Sequence, residues 1–318
     1  MLCHEKQIHQ YEKTISELKK QNHVNGFSDD GEVGRLEKKL EELKGKVYSD
    51  LTPWERVSIC RHPDRPRAAG IIKNICEDFI EIFGDRLFRD DHSIITGFCT
   101  IKGQKMVLIA QDKGTDTESR IYRNFGSPHP EGYRKAKRAM KLAEKFQLPV
   151  LTLIDTPGAY PGLSAEERGQ GGAIAANLYE MARLKTPILA IIIGEGCSGG
   201  ALGIGMGDVV AMLEHAYYSV ISPEGCASIL WHDASHSEKA TAALKIHAEE
   251  LIELKVVDAM IKEPLGGAHH DPQTVYKNLI EFITQTIHTL KKLPTDKLLD
   301  QRYDKFRKMG EVTIQGSA

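Results

Sequence analysis

The sequence predicts an α/β fold in which parallel strands alternate with crossover helices. Three observations carry this. Two apolar, β-branched runs, at 149–154 and 188–193, show no alternation, which is the pattern of strands buried on both faces. Each runs into a glycine-rich turn and then a helical stretch, and two such units in succession imply parallel strands with crossover helices. The chain has 318 residues and 41% hydrophobic content, enough for one sizeable core with accessory elements at its ends.

The elements follow in order. Residues 5–22 place Ile8, Tyr11, Ile15 and Leu18 at helical spacing. A loop is expected at 22–34, then a second helix with Leu36, Leu40, Leu43 and Val47 on one face, so that the two form a hairpin. Thr52-Pro53-Trp54-Glu55 combines an N-cap, a proline at the first helical position and a glutamate closing a capping box. A helix is predicted over 67–83, with Ile72, Ile75, Phe79 and Ile82 inward and Gly84 past its end. Residues 94–101 and 105–110 read as a hairpin turned at 102–104. The polar stretch 111–130 reads as a long loop. The helix at 131–146 is two-faced. Ala136, Ala139, Met140 and Ala143 lie on one side; Arg134, Lys137, Arg138 and Lys141 form a basic stripe on the other. That stripe is either a solvated face or a phosphate-contacting one. After the strand at 149–154 and the turn 155–162, a helix is expected over 165–184. Short strands at 209–213 and 217–221, a helix started by Ser222-Pro223-Glu224, a helix over 237–255 and a strand over 256–261 follow. Asp271-Pro272 caps a last long helix through Leu290. The organisation expected is a helical region at 1–64, a core at 65–262 and a second helical region at 263–318.

Composition narrows the class. A net charge of −2 offers no basic field for nucleic acid or a membrane surface. The six cysteines stand singly, without a C-x-x-C pair, so a zinc ribbon within this chain is not expected and a reducing cytosol is. Residues 1–20 are charged throughout, so no signal peptide is expected, and no apolar run reaches membrane-spanning length.

The chemistry concentrates in 188–208. A buried strand leads into Gly194, Gly196, Gly199 and Gly200, and small residues from Ala201 suit a short, closely packed helix. Strand, glycine turn and helix start together aim free N–H groups and a helix dipole at one point, which suits an anion or a developing oxyanion. Three short motifs compete for this stretch and its neighbour. Gly194-x-Gly196-x-x-Gly199 matches a dinucleotide-binding fingerprint, with Glu214 near the place of the ribose-binding acid. However, Asp208 and a new strand arrive too soon to leave a crossover helix. Gly196-x-Ser198-x-Gly200 matches the nucleophile elbow of a serine hydrolase, with Asp208 or Asp233 and His236, His247 or His269 downstream. Asp155-Thr156-Pro157-Gly158 matches a GTPase magnesium switch, but the chain has no phosphate-binding P-loop.

Longer words in the sequence resemble one family. They are Arg123-Asn124-Phe125-Gly126, the run 130–136 (PEGYRKA), 154–162 (IDTPGAYPG), 166–170 (EERGQ), 194–202 (GEGCSGGAL), 222–231 (SPEGCASILW) and 263–269 (EPLGGAH). Over about residues 33–310 the chain resembles the α-subunit family of bacterial acetyl-CoA carboxylase carboxyltransferases. The resemblance implies a crotonase-like (ClpP/crotonase) fold, ββα units wound into a superhelix, with flanking N- and C-terminal helices. It implies a carboxyltransferase that moves a carboxyl group from carboxybiotin, on a biotin carboxyl carrier protein, to acetyl-CoA, giving malonyl-CoA for fatty acid biosynthesis. It also implies a β subunit that carries the zinc and shares the active site, as α2β2, and a separate biotin carboxylase that uses ATP. A cytoplasmic location follows from the same resemblance.

The site residues it implies are the backbone N–H groups of Gly199 and Gly200 as oxyanion donors on the biotin side. Gly158, Ala159, Tyr160, Gly196 and Ser198 would form the carboxybiotin pocket, and Arg134, Lys137 and Arg138 would contact CoA phosphates or the carrier. No metal and no side-chain base are expected in this chain. Cys197, Gln111-Asp112 and Ser127 depart from the family pattern, and none is expected to touch the glycine donors. A serine hydrolase using Ser198 is the alternative.

Overall fold

The computed structural model describes residues 5–25 and 30–310. Two helices, α1 (Lys6–Asn25) and α2 (Asp30–Ser49), form the expected hairpin, buried along Ile8, Ile15 and Val33 and laced by Lys19–Glu37 and Lys44–Glu12 pairs. The predicted loop at 22–34 is shorter than expected, because helix runs to Asn25 and resumes at Asp30; residues 26–29 lie outside the described residues. At α3 (Pro53–Cys60) the capping box is present in both directions, with the Thr52 hydroxyl accepting from the Glu55 N–H and the Glu55 carboxylate accepting from the Thr52 N–H.

The helix expected over 67–83 is corrected. α4 (Ala68–Ile75) ends early and β1 (Asp78–Glu81) takes the rest. Phe79 and Ile82 continue the helical spacing of Ile72 and Ile75, but backbone pairing of β1 to β2 (Ile94–Ile101) wins over the periodicity. β2 and β3 (Gln104–Gln111) form the hairpin, turned at Lys102-Gly103. The loop at 111–130 is not structureless: it holds α5 (Thr117–Tyr122) and a single turn at Asn124–Gly126.

Helix α6 (Pro130–Lys145) leads to β4 (Val150–Thr156). The single helix expected next is two, α7 (Leu163–Glu167) and α8 (Gln170–Arg183), because Gly169 is left-handed between them. Then come β5 (Ile188–Cys197), α9 (Ser198–Leu202), β6 (Val209–Leu213), β7 (Tyr217–Ser219) and α10 (Pro223–Trp231). The helix expected over 237–255 also splits, into α11 (Ser237–Leu244) and α12 (Ala248–Glu253), at a left-handed Lys245. β8 is only Ala259–Ile261, and α13 spans Pro272–Leu290. α13 is not the last helix: α14 (Thr295–Lys308) follows.

All eight strands lie in one sheet. β1, β2 and β3 are antiparallel, and β3, β4, β5, β6 and β8 run parallel in that order. β5 changes partner along its length. Residues 189–192 pair with β6, whereas residues 195–197 pair with β7. A register shift between Ile154 and Thr156 marks the same level on β4. This bend turns the upper part of β5 out of the main layer and presents the glycine turn at its end. α14 is held by Arg302, with Lys305 bonding the Asp208 carbonyl and the Asp258 carboxylate, and Leu298 buried beside it. Arg302 is fully buried and donates to the carbonyls of Met181, Leu184 and Thr186 and to both carboxylate oxygens of Asp208. Among the described residues no helix is long and apolar enough to cross a membrane.

Candidate active site

The glycine turn sits where β5 becomes α9. Ser198 takes a left-handed conformation (φ 54°), and Gly199 and Gly200 open the helix. Their N–H groups belong to the first helical turn, which has no intrahelical acceptor. The Gly200 carbonyl is pinned from below by the Gln111 side-chain amide at 2.8 Å and the Tyr133 hydroxyl at 3.1 Å. The sequence places Gln111 away from the glycine donors; the structure puts its side-chain amide on the Gly200 carbonyl.

Gly200 is buried against the second glycine turn, which follows β4. A Cβ at Gly200 would lie 2.7 Å from Gly158 Cα and equally deep in the backbone of Ala159, so only glycine lets the two turns touch. Thr156 holds that neighbouring turn, its hydroxyl donating to a carbonyl and accepting from the Gly158 N–H at 3.1 Å. Gly199 has space: its nearest neighbour for a Cβ is Ile174, at 3.7 Å.

Beneath the turn lies a closed group of charges. The Glu195 carboxylate receives Lys113 Nζ at 2.6 Å, Arg61 Nε at 3.1 Å and the Tyr217 hydroxyl. Lys113 also reaches Asp155 at 2.9 Å, and Arg67 pairs with the other Asp155 oxygen at 3.0 Å. Arg61 continues to Glu224 on α10. The Asp155 carboxylate accepts from the Glu195 N–H at 3.0 Å, filling the ladder where β4 and β5 shift register. Burial alone would raise the Glu195 carboxyl, but Lys113 and Arg61 outweigh it and hold it down at about 2. Burial likewise opposes the charged forms of Asp155 and Lys113. Their opposite-charge neighbours win in both cases, lowering Asp155 and raising Lys113. Burial and the adjacent Glu195 push the Tyr217 phenol well above its usual range, so it stays a donor.

On the other side of the turn is an apolar cavity of about 440 Å³. Ser198, Gly199 and Leu202 form its near wall, Tyr218, Val220, Ile246 and Leu251 its far wall, and Phe306 and Met309 reach over from α14 and the residue after it.

The residues expected at the site are therefore divided. Ser198 and Gly199 line the cavity. Gly158 and Ala159 support Gly200 from the opposite side, and Tyr160 lies against the His129 ring. Gly196 is buried under the Tyr218 ring and does not line the cavity. Of the basic stripe, Arg134 is bound to Asp85 and Glu131, each at 2.8 Å, and Arg138 to the carbonyls of Phe83 and Gly84. Lys137 has no hydrogen bond or ion pair among the described residues. The sequence did not single out Arg61, Lys113, Glu195 or Tyr133; of these only Glu195, a charge at the end of an apolar run, carried a local signal.

The hydrolase arrangement is not assembled. Ser198 is exposed, and among the described residues no histidine bonds its hydroxyl. His247 bonds the Pro53 carbonyl, His269 stacks on His62, and His236 lies against Trp231. The dinucleotide reading fails too, because α9 is one turn long and no crossover helix precedes β6.

Residues 1–310 match the model of the acetyl co-enzyme A carboxylase carboxyltransferase-like family. The chain belongs to this family. It is 61% identical over 311 residues to the acetyl-coenzyme A carboxylase carboxyl transferase subunit alpha of Protochlamydia amoebophila, covering 98% of each chain. The corresponding protein of Chlamydia trachomatis is 59% identical over 310 residues, with 98% of this chain and 96% of that one covered. Among solved structures, the fold is similar to the transcarboxylase 12S core (TM-score 0.54, 18% identity, 69% of this chain and 42% of that chain). It is also similar to a chain of a Pseudomonas malonate decarboxylase hetero-tetramer (TM-score 0.55, 15% identity, 67% and 85%). The carboxyltransferase fold is thus the crotonase-like one expected from the sequence.

Proposed function

We propose that this chain is the α subunit of an acetyl-CoA carboxylase carboxyltransferase, which transfers a carboxyl group from carboxybiotin to acetyl-CoA and yields malonyl-CoA for fatty acid synthesis. The observation that carries this reading is the Gly199–Gly200 turn, which opens a helix beside an apolar cavity lined by Ser198 and Gly199, in a chain 98% covered by a named α subunit. The cavity fits the biotin head group: it is large enough and apolar, and its polar edge is the exposed backbone at Ser198 and Gly199.

Bound carboxybiotin supplies the carboxyl group and a ureido oxygen on which negative charge develops. The Gly199 and Gly200 N–H groups are the donors for that charge, held in place before the reaction begins. Gln111 and Tyr133 hold the Gly200 carbonyl, which lies in the peptide after the one that carries the Gly200 N–H. Ile246 and Leu251, both buried, keep water from the apolar part of the ligand. Arg134 and Arg138 are taken up by internal partners, so Lys137 is the residue of the stripe left for the CoA phosphates or the carrier. A zinc-bearing β subunit completes the site in an α2β2 assembly, and a carrier protein and biotin carboxylase act with it in the cytoplasm.

The test is to purify the chain alone and with its β partner and assay malonyl-CoA decarboxylation in the presence of biocytin. The pair is expected to be active and the isolated chain inactive. Full activity from the isolated chain would contradict a shared site.

A further inference from the structure

We infer that Lys113, Glu195 and Arg61 are positioning residues: the charge group around Glu195 sets the aim of the Gly199–Gly200 donors. The inference rests on the carboxyltransferase reading above and adds the device that holds the turn.

Three cations, Arg61, Arg67 and Lys113, meet three carboxylates, Asp155, Glu195 and Glu224. The group is charge-balanced and ties β4, β5 and α10 to the segment around α3. Buried ion pairs add little net stability compared with apolar residues of similar volume, because desolvation offsets the attraction. Arg61 and Glu224 reach solvent, but Arg67, Lys113 and Asp155 are buried and Glu195 nearly so, and these four in one place are poorly explained as a stability device. What they do fix is direction. Glu195 stands four residues before Gly199, and three side-chain donors hold its carboxylate while Asp155 holds its N–H.

A second observation points the same way. Ser198 is left-handed without being glycine, an uncommon conformation for a residue with a Cβ, and here it falls directly between the charge group and the two glycines. The constraint comes from both ends. Gln111 and Tyr133 grip Gly200, and the charge group grips Glu195. A Cβ at Gly194 would lie 2.7 Å from the Asp155 carboxyl carbon, so the carboxylate is packed against the strand it orients. The balance of charge also matters to the reaction. An uncompensated Glu195 would oppose negative charge developing at Gly199.

The experiment uses the assembled carboxyltransferase with Glu195→Gln, Lys113→Met, the double variant, and Gly199→Ala, each measured for kcat, KM for acetyl-CoA and thermal unfolding. The two single variants change the local charge in opposite directions but both release the tether. Positioning predicts that both lower kcat by about tenfold to a hundredfold, the scale of a small misplacement. KM for acetyl-CoA should stay within about twofold, and the double variant should be no worse than the slower single one. If Glu195→Gln retains full kcat while Lys113→Met is slow, charge neutralisation alone operates and the inference fails. If both unfold more readily but turn over normally, the group is only structural and the inference fails. Should Lys113→Met not fold, Glu195→Gln decides alone. Full turnover by the parent chain without its β subunit would instead remove the shared-site reading on which this rests. A slow Gly199→Ala enzyme beside normal Glu195→Gln and Lys113→Met enzymes would sink only the positioning role.

Discussion

Gly199 and Gly200 are neighbours in sequence, yet they face different surroundings. Gly200 lies against backbone, with the Gly158–Ala159 turn on one side and its carbonyl gripped on the other. Gly199 faces the apolar cavity and touches little. From sequence the two are equivalent members of a glycine run. In the structure one glycine exists so that two turns can touch, and the other leaves room for a ligand. The same division runs through the surroundings of the turn. Its inner side is built from permanent charges, and its outer side from aliphatic residues carried partly by the C-terminal helix.

The largest expected effect breaks the inner side. Gly200→Val forces three carbons into the backbone of Gly158 and Ala159, which has no rotamer by which to yield. The expected loss is at the upper end of overpacking, about 3 kcal/mol or more, read from urea denaturation, with poor assembly onto the β subunit. A Gly200→Val chain within about 1 kcal/mol of the parent would show that the two turns are not in rigid contact. This variant is thus a poor probe of the oxyanion donors, despite its appeal from sequence. Gly199→Ala, which has space, is the cleaner one.

The division between legible and hidden parts follows from the range of the interactions. Strands β4 and β5 were readable because burial on both faces demands unbroken Val, Ile and Leu. The start of α3 was readable because Thr52, Pro53 and Glu55 carry the cap within four residues. β1 was misread because Phe79 and Ile82 happen to continue a helical spacing, and only pairing with β2 decides between the two. α14 is not legible because its sequence, TDKLLDQRYDKFRK, has little apolar stripe; the buried Arg302, with Lys305 and Leu298, does the anchoring. The charge group was invisible for a related reason. Its members are spread from Arg61 to Glu224, and no local pattern brings Lys113 to Glu195. The chemistry of the glycine turn could be read locally, but the parts that aim it could not.

Acid should separate the two sides of the turn, because they titrate in different windows. The wall at Ile246 and Leu251 is set by His247, whose Nε2 bonds the Pro53 carbonyl at 2.9 Å. Burial, and then the nearby Arg56, lower this imidazole from 6.5 to about 4. Between those values the unfolded chain binds a proton that the folded chain refuses, so stability is complete above about 6.5 and is lost as pH falls toward 4. The loss is on the order of 3 kcal/mol at most. Glu195, held at about 2, keeps its charge through that window, and its contribution is lost only as pH falls from about 4.5 toward 2. The outer wall should therefore loosen first. His247→Gln, which can keep the bond to Pro53 without titrating, should flatten the slope of unfolding free energy between pH 6.5 and 4. An unchanged slope would assign the acid sensitivity to another group, of which His269 is the nearest in character.

The smallest effect is expected at Ser198, and it is informative for that reason. The hydroxyl is exposed and has no histidine partner among the described residues, so removing it breaks no bond to the fold. The left-handed backbone (φ 54°) is equally costly for alanine and serine, which share a Cβ, so Ser198→Ala should change stability by less than about 0.5 kcal/mol. Carboxyl transfer uses the N–H groups of the turn, and those survive the substitution; turnover should fall only slightly. A serine nucleophile behaves otherwise, since its loss costs on the order of a millionfold in kcat. An assembled, folded Ser198→Ala enzyme with no turnover would restore the hydrolase reading and move the chemistry from the backbone of the turn to its side chain. Near-normal turnover would leave the backbone donors as the only functional atoms that the turn contributes, and would place its whole specificity in how rigidly Glu195 on one side and Gly200 on the other hold them.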